Sequence, residues 1–340
     1  MTKYYMKCNK CHLVQTRISC YRQKKSYNTT HRIFHYGIRL QVSVRPVNMR
    51  LVRGSRLLYL FDVKRILKLQ NHEERVQELV MKKKAIMSIS FGTKLHDVSE
   101  RNLHALEADF RADHPGCDLY RVITNESLIK IIQQEGDPVY AVRECMARMV
   151  LDGVTHLYVQ PAYILNGSEY DELTEMVYSH KADFITVKIG APLLNNHEDY
   201  VRTCRAIMEE DYPNLPANEA VVLVGHGSDH SSNSVYCTLD YVFKDLGYEN
   251  TSVCTFNAFP QVDTVIRHLK KNPAIDTVHI APFMFVAGEM AMEGVCGDAD
   301  NSMKTLIANA GYKTIAHRKC LGEYTGIRRI YRDHLNSCFE

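Results

Sequence analysis

His226 closes the stretch Val221-Val222-Leu223-Val224-Gly225-His226-Gly227-Ser228, in which a short, β-branched apolar run ends abruptly in Gly-His-Gly-Ser. A run of that kind reads as a buried parallel strand, and its carboxyl end is where open α/β sheets bind ligands. Glycine on either side leaves the imidazole open to approach. A neutral imidazole so displayed can hold a divalent metal or accept a proton. The plainer alternative, a histidine that only hydrogen-bonds its own turn, is disfavoured by the flanking glycines and the strand end. Ser231, Ser232 and Asn233 supply caps for the helix expected next. Glu169 is the second residue of interest. It follows Asn166-Gly167-Ser168, and a first-turn carboxylate there is favoured by the helix dipole whether or not it also faces a cleft.

The elements that must position these groups alternate regularly from Lys84 onward. Strands are expected at 85–91, 118–124, 155–160 and 184–189, with helices at 98–113, 126–135, 166–180 and 197–210. A further helix is expected from Asp137-Pro138 to Gly153, with the proline in its first turn. Tyr212-Pro213-Asn214-Leu215-Pro216 marks a boundary. Beyond it the scheme repeats: strands at 220–224, 251–256, 277–282 and 313–316, helices at 234–246, 260–271 and 324–337, and a glycine-broken segment over 288–300. The halves read as duplicated. Ser90-Phe91-Gly92-Thr93 matches Gly225-His226-Gly227-Ser228, and Gln160-Pro161 with Asn166-Gly167 matches Ala281-Pro282 with Ala287-Gly288. Two α/β halves with equivalent strand ends imply a cleft lined by Glu169, His226 and the segment near Met290.

Charge divides the chain differently. Residues 1–80 carry 17 Lys/Arg and 4 Asp/Glu, with no acidic residue before Asp62, whereas the remaining residues carry 25 and 35. The acidic body argues against nucleic-acid binding. Residues 1–80 read as a basic extension of low order, with a loose helix over 51–80, and Met81-Lys82-Lys83-Lys84 reads as a natural protein start. The extension also has the acid-poor, Arg- and Ser-bearing look of a transit peptide. Cys8-x-x-Cys11-His12 lacks the second pair that a zinc knuckle needs. Eight of the eleven cysteines are spread through the body as reduced cytoplasmic thiols would be. No run is long enough to span a membrane. No Walker loop, dinucleotide fingerprint or nucleophile elbow is present, so no nucleotide is expected.

Taken together, Ser90-Phe91-Gly92-Thr93 with Asp97, Gln160-Pro161…Asn166-Gly167-x-Glu169-Tyr170, Gly225-His226-Gly227-Ser228, and Pro282-x-x-x-Val286-Ala287-Gly288 with Gly297-Asp298 resemble the anaerobic sirohydrochlorin cobaltochelatases. These are class II chelatases related in fold to protoporphyrin ferrochelatase. The resemblance runs from about Met81 to the C-terminus. It implies two Rossmann-like parallel-sheet halves, 81–212 and 217–340, facing a central cleft that takes a tetrapyrrole such as sirohydrochlorin. It implies ATP-independent insertion of Co2+, with Ni2+ and Fe2+ as other candidates, in cobalamin biosynthesis in the cytoplasm. A homo-oligomer is compatible with it.

Carried over position by position, the family's first histidine is His226 and its first-half carboxylate is Glu169. Phe91, Gly92, Thr93, Gly227, Ser228, Ala287 and Gly288 fall where the substrate is held. Two positions depart from the pattern. Asn257 stands where the family has glutamate, and Gly288-Glu289-Met290-Ala291 replaces Gly-Asp-His-Ala. A thioether is a soft ligand and a poor base, and an amide oxygen has no useful basicity. Glu289 and His230 are the groups at hand to compensate. Met290 is expected to pack against macrocycle or core, with metal ligation as the second reading. The alternative function is a non-catalytic tetrapyrrole- or haem-binding carrier on the same fold.

Overall fold

The computed structural model describes residues 16–23, 35–42, 82–136 and 138–340. The chain forms two compact units, 1–72 and 73–340. In the first, β1 (Thr16–Gln23) and β2 (His35–Val42) pair antiparallel, Thr16 opposite Val42 and Gln23 opposite His35. The loose helix expected over 51–80 and the Cys8-x-x-Cys11-His12 run lie outside the described residues.

In the second unit the chain winds as expected. The first half holds β3 (Lys84–Ser90), α1 (His96–Ser99), α2 (Ala105–Asp113), β4 (Cys117–Ile123), α3 (Glu126–Gln134), β5 (Val139–Tyr140), α4 (Val142–Leu151), β6 (His156–Pro161), α5 (Ser168–Ser179), β7 (Thr186–Ile189) and α6 (His197–Asp211). The second half holds β8 (Glu219–Gly225), α7 (Val235–Asp245), β9 (Thr251–Thr255), α8 (Val262–Leu269), β10 (Thr277–Pro282), α9 (Glu289–Cys296), α10 (Met303–Asn309), β11 (Lys313–Ala316) and α11 (Thr325–Ser337). The strand orders are β5-β4-β3-β6-β7 and β11-β10-β8-β9, and every pairing in both sheets is parallel.

Two segments differ from the sequence reading. Val139 and Tyr140 pair with Arg121 and Val122 as an edge strand, so Pro138 precedes a strand and the helix begins only at Val142. Val139 is β-branched and fully buried, and that burial outweighs the helical pattern. The segment 288–300 contains a formed helix, α9, despite Gly294. A side chain at Gly294 would crowd the Phe256 ring, which the bare backbone accommodates.

Period-two alternation explains how the layers are covered. Ala220, Val222 and Val224 of β8 face an apolar cluster of the second half, with Val265, Ile280, Val295 and Ile307. Val221 and Leu223 turn the other way, into a cluster that both sheets share. That cluster also takes Ile86 and Tyr158 from the first sheet, Ile207 from α6, Leu239 and Phe243 from α7, and Ile327, Ile330 and Tyr331 from α11. Ala85, Met87 and Ile89 of β3 meet a third cluster, outside the first sheet.

Although last in sequence, α11 docks on the first half. The Tyr331 hydroxyl donates to the Tyr163 carbonyl at 2.9 Å. Arg332 grips Asp113 through two bonds of 2.7 and 2.6 Å, and Arg328 donates to Asp109 at 2.8 Å. Phe339 stacks on both His114 and Tyr158. Tyr331 is fully buried. Tyr331→Ala is therefore expected to cost about 3–5 kcal/mol of stability. Tyr331→Phe, which loses only the hydrogen bond, should cost about 1 kcal/mol. Urea unfolding of the two variants measures both.

Candidate active site

The two halves end their central strands in the same way. The Ser90 carbonyl accepts from Thr124 N–H at 3.0 Å and the Ile89 carbonyl from Ala162 N–H at 2.7 Å. Their counterparts in the second half are Gly225 accepting from Phe256 N–H at 3.1 Å and Val224 accepting from Phe283 N–H at 2.7 Å. These junctions lie where the chain reverses its direction of winding, beside β3/β6 and β8/β10. Loops leaving such points diverge and open a crevice.

The crevices meet each other. Lys94, after β3, pairs with Glu289 at the start of α9 at 2.7 Å. Asp171 in the first turn of α5 lies 3.8 Å from His230 Nε2. A side chain at Gly167 would stand 3.1 Å from Ser232 Oγ. These three contacts cross from one half to the other, so the strand ends of both sheets line one cleft.

His226 lies directly after Gly225, the last residue of β8, and is exposed. Its imidazole makes no hydrogen bond to another described residue, while its backbone is fixed. Its carbonyl accepts from Asn257 N–H at 3.3 Å. Asn233 accepts from Ser228 N–H at 3.0 Å and donates to the Phe259 carbonyl at 2.6 Å, tying the His226 loop to the next one. Gly227 has φ +87°, and a side chain there would meet Ala258 N and Thr255 Oγ1, both at 3.0 Å. A Cβ at Gly225 would lie 2.3 Å from the Tyr236 ring. In the first half, Gly92 (φ +86°) would drive a Cβ within 2.6 Å of Ile123. Gly92 and Thr93 are buried beneath the exposed Phe91 ring. The glycines thus serve close backbone approach as well as access.

Glu169 is the second residue of α5, after Gly167 as N-cap, and its side chain is exposed. It is a first-turn carboxylate, two residues before Asp171, which faces His230 across the cleft. Met290 does not pack into the core. It is 91% exposed, at the start of α9 after the extended Gly288 N-cap and the buried Ala287. Asn257 is also exposed. The Glu289 carboxyl is held below its usual range by the hydrogen bond and charge of Lys94. Among the described residues, no group of three or more His, Cys, Asp or Glu side chains stands close enough together to hold a metal ion. His226, Glu169 and Glu289 are therefore brought to one cleft but not into one coordination shell.

The sequence reading named His230 only as a compensating group and missed Tyr236. His230 caps the 3-10 turn Ser231–Ser234, its Nδ1 accepting from Ser232 N–H at 3.2 Å. That bond leaves Nε2 to face Asp171. Tyr236 is buried beneath Gly225, and its phenol is pushed up to about 12 by burial. A hydrogen bond from the Gly227 backbone opposes that rise, and the charge of Glu169 adds to it. Tyr236 thus neighbours both the histidine loop and the carboxylate of the opposite half. The signal available in the sequence was the glycine at 225, which needs a large partner to explain it.

The two-lobed parallel α/β body presents the strand ends of both sheets to one cleft, and its relatives make it a metal chelatase. The chain belongs to the family described as cobalt chelatase (CbiK), which residues 84–340 match. It is 31% identical over 255 residues to the sirohydrochlorin cobaltochelatase of Salmonella typhimurium, covering 75% of this chain and 96% of that protein. It is 26% identical to the sirohydrochlorin cobaltochelatase CbiKC of Nitratidesulfovibrio vulgaris, covering 77% and 92%. The fold is shared with SirB from Bacillus subtilis, solved with Fe3+, at a TM-score of 0.54 and 16% identity over 75% of this chain and 95% of that one.

The glycine geometry makes a paired prediction. Gly225→Ala should destabilise the protein by about 1–3 kcal/mol through its clash with Tyr236. Gly288→Ala, with open space around it and φ −76°, should stay within about 0.5 kcal/mol of the parent. Thermal unfolding of both checks this.

Proposed function

We propose that this chelatase inserts Co2+ into sirohydrochlorin in cobalamin biosynthesis, without ATP, and that His226 is its central residue. The observation that carries the reading is the placement of His226: exposed, unpartnered by other described residues, and held on a pinned loop opposite Glu169. The printed activities of the two curated relatives supply the metal and the macrocycle.

Metallation removes two pyrrole protons and strips water from an M2+ ion. A neutral imidazole serves as the proton acceptor. Glu169, across the cleft, attracts the cation and passes protons to solvent. Met290 and Phe91 (61% exposed) offer apolar surface at the cleft mouth, and Phe259 (61% exposed) does so beside the His226 loop. Surface of that kind suits the face of a planar macrocycle. Gly92, Thr93, Gly227, Ser228, Ala287 and Gly288 bring backbone close to the macrocycle edge. Asn257 and Met290 are weak ligands at most, so His226 has the dominant metal affinity. Ni2+ and Fe2+ are chemically suited to the same groups.

The reading extends to the chain's organisation. The catalytic body is residues 81–340, and residues 1–80 are dispensable to it; the family match, which begins at residue 84, supports this. A cytoplasmic setting is supported by the eight cysteines of the described body, all free. No described helix is long and apolar enough to cross a membrane.

Purified protein mixed with sirohydrochlorin and Co2+ should speed the absorbance change of metallation over a no-protein control. His226→Ala should abolish that acceleration while leaving the protein folded. Unchanged insertion by the variant would falsify the assignment. Binding of tetrapyrrole or haem without acceleration would favour the carrier. Truncation to Met81 should leave both folding and insertion intact, and loss of soluble protein would show residues 1–80 to be structural.

A further inference from the structure

We infer that Lys94 is a substrate-carboxylate binding residue of the cleft, and that Glu289 occupies it as a placeholder until the macrocycle arrives. The inference rests on the tetrapyrrole reading above and concerns how that polyanion is recognised. Lys94 lies on the first half and Glu289 on the second, 2.7 Å apart, with their side chains 53% and 58% exposed. An ion pair that wet contributes little to folding. The adhesion of the halves comes instead from the apolar cluster they share. The pair is thus cheap to exchange, one carboxylate for another.

Its position is fixed even though its strength is small. Thr93 Oγ1 accepts from Leu95 N–H at 3.2 Å and shapes the loop. Leu95 and Val98, either side of the turn into α1, pack with Ala287 and Met292 of the second half. That packing holds the loop against α9, so the ammonium sits at the cleft mouth, three residues after Phe91 and paired with the residue before Met290. The other acidic groups along the ends of the central strands include Glu169, Asp171 and Asp229. A polycarboxylate entering such a rim is repelled unless a cation meets it. Lys94 is the ammonium placed to do so, and a macrocycle lying against Phe91 and Met290 brings a peripheral carboxylate within its reach.

A mere latch between the halves would make the two partners equivalent, since removing either one breaks it. A placeholder makes them opposite. Sirohydrochlorin titrated into metal-free protein, followed by absorbance and tyrosine fluorescence, separates the two. Lys94→Gln should weaken binding about three- to ten-fold and flatten its salt dependence. Glu289→Gln should tighten binding, because it frees the ammonium. Lys94→Arg should bind as the parent does. Lys94→Gln binding within two-fold of the parent, or Glu289→Gln weakening binding as Lys94→Gln does, would overturn the inference while leaving the chelatase reading intact. Failure of the parent itself to bind sirohydrochlorin would overturn the tetrapyrrole reading, and this inference with it. Both side chains are exposed, so the variants should fold; their melting curves verify that.

Discussion

The structure depends on one apolar cluster that belongs to neither half alone. Two parallel sheets, each needing cover on both faces, present Ile86 and Tyr158 from one side and Val221, Leu223 and Val253 from the other. Helices α6, α7 and α11 fill the cluster. Because α11 comes last in sequence yet docks on the first half through Tyr331, Arg328 and Arg332, the halves cannot drift apart without exposing it. Burial on this scale sets the width of the cleft. Polar contacts across the cleft mouth are then free to serve recognition.

Within that frame the chemistry is sparse. The central strands of both sheets carry equivalent hydrogen-bonded junctions, and the loops that follow diverge from them. One lip bears His226, the other Glu169, and Tyr236 sits buried close to both. The proposed site has a single imidazole, which binds M2+ less tightly than two would. For a chelatase that is not simply a loss, because the metal is a substrate and must leave with the product. The exposure of Met290 fits this picture, since a thioether directed at solvent adds apolar surface to the mouth without competing for the ion.

Much of this was legible in the residues. The apolar runs broken by glycine located β3 and β8, those ending in proline located β6 and β10, and their repetition gave the duplication. The edge strand Val139–Tyr140 was not legible, because a two-residue strand has no periodicity and exists only through its pairing with β4. The helix α9 was hidden by its glycines. Met290 was read as packing against macrocycle or core, and nothing local revealed that its helix end faces open space, which rules out the core.

By itself, the sequence determined the winding of the body and the residues placed at its strand ends. Both follow from local pattern: alternation, glycine punctuation and the polar residue beyond each apolar run. The tertiary structure alone decided which of those ends meet. It paired Lys94 with Glu289 and Asp171 with His230, placed Tyr236 under Gly225, and left His226, Glu169 and Glu289 in one cleft without a common coordination shell. These are contacts between residues far apart along the chain, fixed by the packing of two sheets about a shared core, and no local pattern encodes them.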